Sequence, residues 1–198
     1  MDMTLYEAQA AAQGYVALAG MDEVGRGPFA GPVVAACVLL DWRNPIPGVR
    51  DSKKVTPKRR EALLPRILEA ATAVGIGSIP AEDIDRINIL EATKRAMWEA
   101  VAAMAAQPDY VLVDAVQGLG LPMPTQPIIH GDALSYLIAA ASIVAKQTRD
   151  AYMIEMDAQY PGYGFAKHKG YGTPEHRAAI KALGPCPLHR MTFIRNWL

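Results

Sequence analysis

The fold of this chain is decided by residues 19–40, AGMDEVGRGPFAGPVVAACVLL, in which two apolar runs flank two acids and a glycine-rich turn. Each apolar run predicts a strand, and the short connection between them predicts a hairpin. Asp22 and Glu23 stand side by side at the end of the first run. Because an uncompensated buried charge is very costly, these acids must be paired, bound to metal or protonated.

One further strand and one inserted helix are predicted after the hairpin. Residues 72–80, TAVGIGSIP, predict a third strand, so the first part of the chain reads as an antiparallel meander. Between the second and third strands, residues 56–71 predict an inserted helix with Thr56 as N-cap and Pro57 at its first position. Pro65 lies inside this helix, where we expect a break or kink.

The second half of the chain alternates strands with long helices. Residues 80–106 predict a helix divided near Asn88, and residues 133–160 predict a long helix. Two short apolar runs between them predict strands that end on Asp114 and on Asp132. Strands that alternate with helices pair in parallel, so we expect an α/β fold with a mixed sheet, antiparallel meander plus parallel strands, flanked by helices.

The tail after residue 160 is rich in loops. One helix is predicted from Thr173 to Leu183, with Thr173 as its cap and Gly184 as its end. This change in pattern separates the first 160 residues from a tail of residues 161–198.

Length and composition indicate one soluble globular protein. The chain has 198 residues, of which 51% are hydrophobic and 20% charged. No apolar run reaches the roughly 20 residues needed to cross a bilayer, and the N-terminal segment lacks the basic region of a signal peptide. Two cysteines are too few for a disulfide framework, so we expect a cytoplasmic protein.

The distribution of charge neither requires nor excludes binding to nucleic acid. The formal net charge is zero, which argues against strong non-specific electrostatic binding to phosphate groups. Two local basic patches exist nevertheless: residues 52–60, SKKVTPKRR, hold five cations, and residues 166–177 combine lysines with Tyr171. These patches are either phosphate contacts or merely solvated faces.

Carboxylates placed at strand ends point to a metal site. Asp22, Glu23, Asp114 and Asp132 can meet where the strands end, because ligand sites of α/β sheets gather at that edge. Carboxylate oxygens favour Mg²⁺ or Mn²⁺, and two such ions are suited to phosphodiester hydrolysis. Other readings stay open: Asp132 as a helix cap, Asp114 as a turn residue, and Arg26 as an ion-pair partner of the first two acids.

Three other features can be interpreted either as functional or as structural. Gly25-Arg26-Gly27 can bring backbone to a sugar hydroxyl and a guanidinium to a phosphate, or it can be a tight turn. Tyr171 can stack on a sugar or base, or it can anchor the tail. Lys146 stands four residues before Asp150 on the long helix, and for it we favour an intrahelical ion pair.

Segments spread over nearly the whole chain resemble bacterial ribonuclease HII, a type 2 ribonuclease H. They are GMDEVGRGPFAGPVVAACVLL, VRDSKKVTPKRRE, IDRINILEATKRAM, VLVDA, HGDALSYLIAAASIVAKQTRD and YGFAKHKGYGTPEHRAAIKALGPCPLHRMTF. The resemblance implies an RNase H-like catalytic core, residues 1–160, with a C-terminal substrate-binding appendage packed on it, residues 161–198. It implies metal-dependent hydrolysis of RNA in RNA–DNA hybrids. It also implies incision 5′ of a lone ribonucleotide in duplex DNA, with 3′-hydroxyl and 5′-phosphate ends.

The resemblance also implies roles for particular residues. The four catalytic acids fall on Asp22, Glu23, Asp114 and Asp132, the ribose-reading loop on Gly25, Arg26 and Gly27, and the tyrosine that packs on the adjoining deoxyribose on Tyr171. We expect four lysines to steer the nucleic-acid backbone: Lys53, Lys54, Lys167 and Lys169. We also expect a monomer with no membrane contact.

The chain departs from the usual family pattern in a few places. His130 stands where a lysine is common, Ala115 where a glycine is usual and Tyr136 where a serine is frequent. Leu134 occupies a position that alternates with lysine among relatives. None of these changes removes a carboxylate. Two rivals remain: a non-catalytic nucleic-acid-binding module, which would gain nothing from acids near phosphates, and a structure-specific DNA nuclease of the same superfold.

Overall fold

A mixed sheet of five strands forms the centre of the part of the chain that the structure describes, residues 3–52 and 55–198 of a computed structural model. The strands are β1 (Leu18–Val24), β2 (Val33–Leu39), β3 (Ala73–Ile79), β4 (Tyr110–Asp114) and β5 (Thr125–Ile128). The helices are α1 (Leu5–Ala12), α2 (Pro57–Ala70), α3 (Ala81–Ile87), α4 (Ile89–Ala102), α5 (Gly131–Leu134), α6 (Tyr136–Gln159), α7 (Phe165–His168), α8 (Pro174–Leu183) and α9 (Met191–Ile194).

Strand order in the sheet is β3-β2-β1-β4-β5. The first three strands pair antiparallel, with α2 inserted between β2 and β3. β4 pairs with β1 in parallel, and β5 pairs with β4 in parallel. The predicted meander joined to parallel strands is therefore confirmed, and so is the flanking by helices.

Each face of the sheet carries its own hydrophobic core, because side chains alternate along a strand. On β2, Ala36 and Val38 pack into a core shared with α6, whereas Ala35 and Cys37 pack into a core shared with α4. α6 lies very close to β1: a Cβ built on Gly20 would stand 2.0 Å from the carbonyl carbon of Leu137. This contact fixes the helix start against the strand that bears the paired acids.

The predicted helix ends are confirmed at two positions. Asn88 adopts a φ of 69° between α3 and α4, and its side chain accepts hydrogen bonds from the backbone of Leu90 and Glu91. Thr173 precedes α8 and accepts a hydrogen bond from the backbone N–H of His176. Polar side chains in these places satisfy helix N–H groups that would otherwise lack partners.

Of the break or kink predicted at Pro65, the break is absent. α2 continues through Pro65, which lies with Glu61 on the exposed face, so the carbonyl that loses its partner is open to water. A second local prediction is wrong. The strand expected to end on Asp132 ends at Ile128, and Asp132 lies instead in the first turn of α5. The left-handed backbone of His130, with φ of 58°, turns the chain out of the strand.

The tail packs on the rest of the chain through a third, small core. Met153 of α6 and Ala30 pack there with Tyr163 and Phe165, and a single β-bridge joins Ala30 to His189. The division at residue 160 stays a prediction. None of the helices described is both long enough and apolar enough to cross a membrane.

Candidate metal centre and nucleic-acid cleft

Strand register brings the carboxylates of Asp22 and Asp114 together. Met21 of β1 is paired with Val113 of β4, so the residues that follow them, Asp22 and Asp114, lie next to each other. Asp114 is the last residue of β4, as expected, whereas β1 continues for two residues beyond Asp22. Asp22 is buried, with 5% of its surface exposed.

The third carboxylate arrives through the loop after β5. The backbone N–H of Gly131 donates a 2.7 Å hydrogen bond to Oδ1 of Asp114, which holds the start of α5 against the end of β4. A Cβ on Gly131 would stand 2.6 Å from Cδ1 of Ile138 and 3.3 Å from Oδ1 of Asp114, so a glycine allows this close approach. Asp132, the next residue, is thereby carried to the same place.

Asp22, Asp114 and Asp132 form one acidic cluster. Each offers a carboxylate oxygen, and these oxygens all lie within 4.8 Å of one another. Glu23 is not a member of this group, but it lines the same cavity of about 180 Å³ together with Asp22 and Tyr171. The structure thus brings three of the four predicted acids into contact range and leaves the fourth beside them.

Burial and mutual repulsion make this cluster unfavourable without a cation. Burial raises the pKa of Asp22 well above its ordinary value, and the neighbouring Glu23 and Asp114 raise it further. Burial also raises the pKa of Glu23, an effect that Arg26 partly offsets. Oε2 of Glu23 is buried and has no hydrogen-bond partner among the described residues. This set of oxygen donors fits a hard divalent cation such as Mg²⁺ or Mn²⁺.

The glycines of the Gly25-Arg26-Gly27 turn have different surroundings. Gly25 is buried with a φ of 95°, and a Cβ on it would stand 2.4 Å from Nε of Arg149, whereas a Cβ on Gly27 would meet open space. Arg26 is exposed, and its Nη1 lies 3.3 Å from Oε1 of Glu23. The ion pair considered from the sequence is therefore present for Glu23.

Of the other residues predicted to contact substrate, only Tyr171 lines the acidic cavity among those that the structure describes. Tyr171 is 43% exposed at the acidic cavity. Lys167 lies outside this cavity and forms an exposed ion pair with Glu175, and Lys169 donates to the carbonyl of Ala166. Lys53 and Lys54 lie outside the described residues.

Three polar residues that we did not predict as site residues also line the acidic cavity: Ser52, Ser142 and Lys146. The Ser142 hydroxyl donates a 2.6 Å hydrogen bond to Oγ of Ser52, and the Ser142 side chain lowers the pKa of Asp22 against the larger effect of burial. The predicted ion pair between Lys146 and Asp150 is confirmed at 2.8 Å. The sequence shows Ser142 and Lys146 as a polar stripe on an otherwise apolar helix. Which part of the fold that stripe faces depends on how α6 packs.

Comparison with known sequences gives a consistent result. A family model described as Ribonuclease HII matches residues 19–196. The Ribonuclease HII of Geobacter sulfurreducens is 56% identical over 188 residues, which cover 95% of this chain and 87% of that protein. The Ribonuclease HII of Ruminiclostridium cellulolyticum is 51% identical over 196 residues, 99% of this chain and 77% of that protein.

Solved structures are similar in fold as well. The ribonuclease H2 of Pyrococcus horikoshii OT3 matches with a TM-score of 0.79 and 26% identity, covering 92% of this chain and 97% of that one. Bst-RNase HIII, solved in complex with Mn²⁺, matches with a TM-score of 0.70 and 19% identity, covering 98% of this chain and 71% of that one. The mixed sheet with flanking helices is thus the RNase H-like fold.

Proposed function

This chain belongs to the ribonuclease HII family, and from that premise we propose how its cleft recognises and cuts nucleic acid. It is a type 2 ribonuclease H, a hydrolase that cleaves RNA in RNA–DNA hybrids. Our proposal goes further: the enzyme also incises duplex DNA on the 5′ side of a single ribonucleotide, as a first step of ribonucleotide removal. The products carry 3′-hydroxyl and 5′-phosphate ends.

The observation that carries the proposal is the acidic cluster of Asp22, Asp114 and Asp132 with Glu23 in the adjoining cavity. These four carboxylates hold two divalent ions, Mg²⁺ or Mn²⁺. When bound, such ions activate the attacking water and stabilise the leaving oxygen. The chain orients its own donors: the Gly131 N–H fixes one oxygen of Asp114, and the N–H of Glu23 fixes one of Asp22.

Substrate recognition falls to the loops around the cavity. Backbone groups of the turn Gly25-Arg26-Gly27 read the ribose 2′-hydroxyl, and Arg26 meets a phosphate, since that turn directly follows the acids. Tyr171 packs on the adjoining sugar and checks that it is a deoxyribose; its exposure at the cavity supports this role. Four lysines steer the backbone: Lys53, Lys54, Lys167 and Lys169.

The catalytic assignment is tested with Asp114→Asn. An amide cannot supply the negative charge that a divalent ion requires, so we expect hybrid cleavage to fall by about 10³-fold or more while hybrid binding persists. Asp157→Asn, a half-buried change elsewhere on α6, is the matched control and should cleave normally. Normal turnover by Asp114→Asn would defeat the metal assignment.

Substrate choice is tested with three duplexes, each with and without Mg²⁺: an RNA–DNA hybrid, all-DNA, and DNA with one ribonucleotide. We expect metal-dependent cleavage of the first and third. Cleavage of all-DNA would favour a structure-specific DNA nuclease, and absence of any cleavage would favour a binding module. If Tyr171→Ala leaves incision at the single ribonucleotide unchanged, its sugar-checking role is wrong.

We also propose that the enzyme acts as a monomer in the cytoplasm, with a core over residues 1–160 and an appendage over residues 161–198. The free thiols of Cys37 and Cys186 are compatible with a reducing compartment. Sedimentation of the chain with and without substrate would test the monomer.

A further inference from the structure

Two arginines are fully buried beside the acidic cleft. Arg149 on α6 and Arg190 just before α9 are both 0% exposed. Among the described residues neither guanidinium forms an ion pair with an acid. Because removing a charge from water costs several kcal/mol unless other groups compensate it, these two side chains need a reason to be inside the protein.

Arg190 binds the loop that connects β1 to β2, residues 25–32, through its carbonyl groups. Its Nη2 donates to the carbonyl of Gly25 at 2.5 Å, its Nη1 to that of Arg26 at 3.0 Å, and its Nε to that of Gly31 at 3.0 Å. Its own backbone N–H donates to the carbonyl of Phe29 at 2.8 Å. One residue of the tail thus holds both ends of this loop.

Arg149 holds the same loop from α6 and connects it to the segment of Tyr171. Its Nε donates to the carbonyl of Pro32 at 2.9 Å, its Nη2 to that of Ala30 at 3.0 Å, and its Nη1 to that of Lys169 at 2.9 Å. Its guanidinium carbon lies 6.0 Å from the centre of the Tyr171 ring. Between them the two arginines engage the carbonyl groups of residues 25, 26 and 30–32.

The choice of arginine follows from geometry. A planar guanidinium presents five N–H donors in a fixed fork, so it can bind three carbonyl groups whose directions differ. An ammonium group is a single point at the end of a flexible stem and cannot span them. Two glycines complete the arrangement, since a Cβ on Gly25 or Gly31 would stand 2.4 Å from Arg149 or Met153.

We propose that Arg149 and Arg190 are positioning residues that set the distance between the backbone at Gly25 and Arg26 and the ring of Tyr171, and thereby the selectivity for a ribose. This inference rests on the proposed roles of that turn and of Tyr171. Both arginines are fully buried, so their role is to position other groups and not to contact substrate. They act by holding the recognition backbone still, so that its polar groups meet the 2′-hydroxyl without reorganisation.

The test is a substrate–variant cycle in single-turnover cleavage. Wild-type enzyme and Arg190→Lys are each compared on duplex DNA with one ribonucleotide and on the same duplex with 2′-fluoro at that sugar. Loss of the hydroxyl should slow the wild type strongly, by about 10⁴-fold, because a site built to bind a hydroxyl rejects an analogue that lacks it. In the variant we expect that penalty to shrink by about 100-fold, which is the effect that a displacement of about 1 Å can have.

A control separates positioning from loss of fold. Met97→Ala removes buried volume from the core shared with α4, away from both arginines, and should keep the full 2′-hydroxyl preference. If Arg190→Lys does not fold, Arg149→Lys is measured in the same way. An unchanged penalty in the folded variant overturns the inference. A wild type that ignores the 2′-hydroxyl refutes the proposed reading loop itself, and the inference with it.

Discussion

Removing one charge from the acidic cluster should stabilise the protein in the absence of divalent ions while it abolishes cleavage. The change is Asp22→Asn. Asp22 is buried and close to other carboxylates, and its oxygen that accepts the N–H of Glu23 is kept by the amide. The variant therefore loses repulsion and loses little of the hydrogen bonding.

The size of the effect follows from the distance. The carboxylate oxygens lie at most 4.8 Å apart, and at that separation two unit charges repel by about 3 kcal/mol at an effective dielectric constant near 20. Asp22 has two such neighbours in the cluster, Asp114 and Asp132, but partial protonation in the wild type relieves some of the repulsion. We expect a net gain of about 1–3 kcal/mol in the free energy of unfolding, which is a rise of about 3–8 °C in Tm.

The effect has a defined pH dependence. Burial raises the pKa of Asp22, so at intermediate pH the native wild type holds a proton that the unfolded chain has lost. That contribution to stability is lost as the pH rises through the native pKa. The difference in the free energy of unfolding between Asp22→Asn and the wild type should therefore grow as the pH rises above 3.8, the ordinary pKa of an aspartate, and level off above the raised native pKa.

The assay is urea unfolding in the presence of a chelator, repeated with Mg²⁺. Asp157→Asn is the control and should change the free energy of unfolding by less than about 0.5 kcal/mol. With Mg²⁺ the difference in the free energy of unfolding should become smaller or change sign, because the wild type binds the ion more tightly than the variant does. If the variant is no more stable than the wild type in chelator, the three carboxylates do not repel each other as the geometry requires.

Three other perturbations have definite outcomes. Burial lowers the pKa of His176 to about 4, so at pH values below 6.5 the unfolded chain binds a proton at this residue that the native state does not. The free energy of unfolding, measured in urea, should therefore fall by roughly 3 kcal/mol between pH 6.5 and pH 4. The fall should be much smaller in His176→Gln. Ala115 is exposed with a φ of 52°, and Ala115→Gly should raise the free energy of unfolding by about 0.5–1 kcal/mol, measured in the same way. Gly20→Ala forces a Cβ into the backbone of α6 and should cost about 3 kcal/mol or more, whereas Gly27→Ala, which meets open space, should leave Tm nearly unchanged; equal effects would contradict the packing.

Local signals determined much of the secondary structure. Apolar runs joined by short links predicted the hairpin and the meander, and Asn88 and Thr173 marked helix starts because a cap bonds within its own first turn. The carboxylates could also be chosen from the sequence, because acids that follow apolar strands can meet at one edge of an α/β sheet. Where such signals compete within a few residues, as at Pro65, the pattern alone misleads.

What the sequence by itself determined, then, was the kind of chemistry and most of the elements that support it. Only the tertiary structure decided that Asp132 reaches the cluster from a short helix, that Ser142 and Lys146 line the acidic cavity, and that Arg149 and Arg190 bind the loop that connects β1 to β2. The physical reason is range: caps and periodicity act within a few residues, whereas the bond from Arg190 to Gly25 joins residues 165 positions apart and depends on the packing of the whole chain.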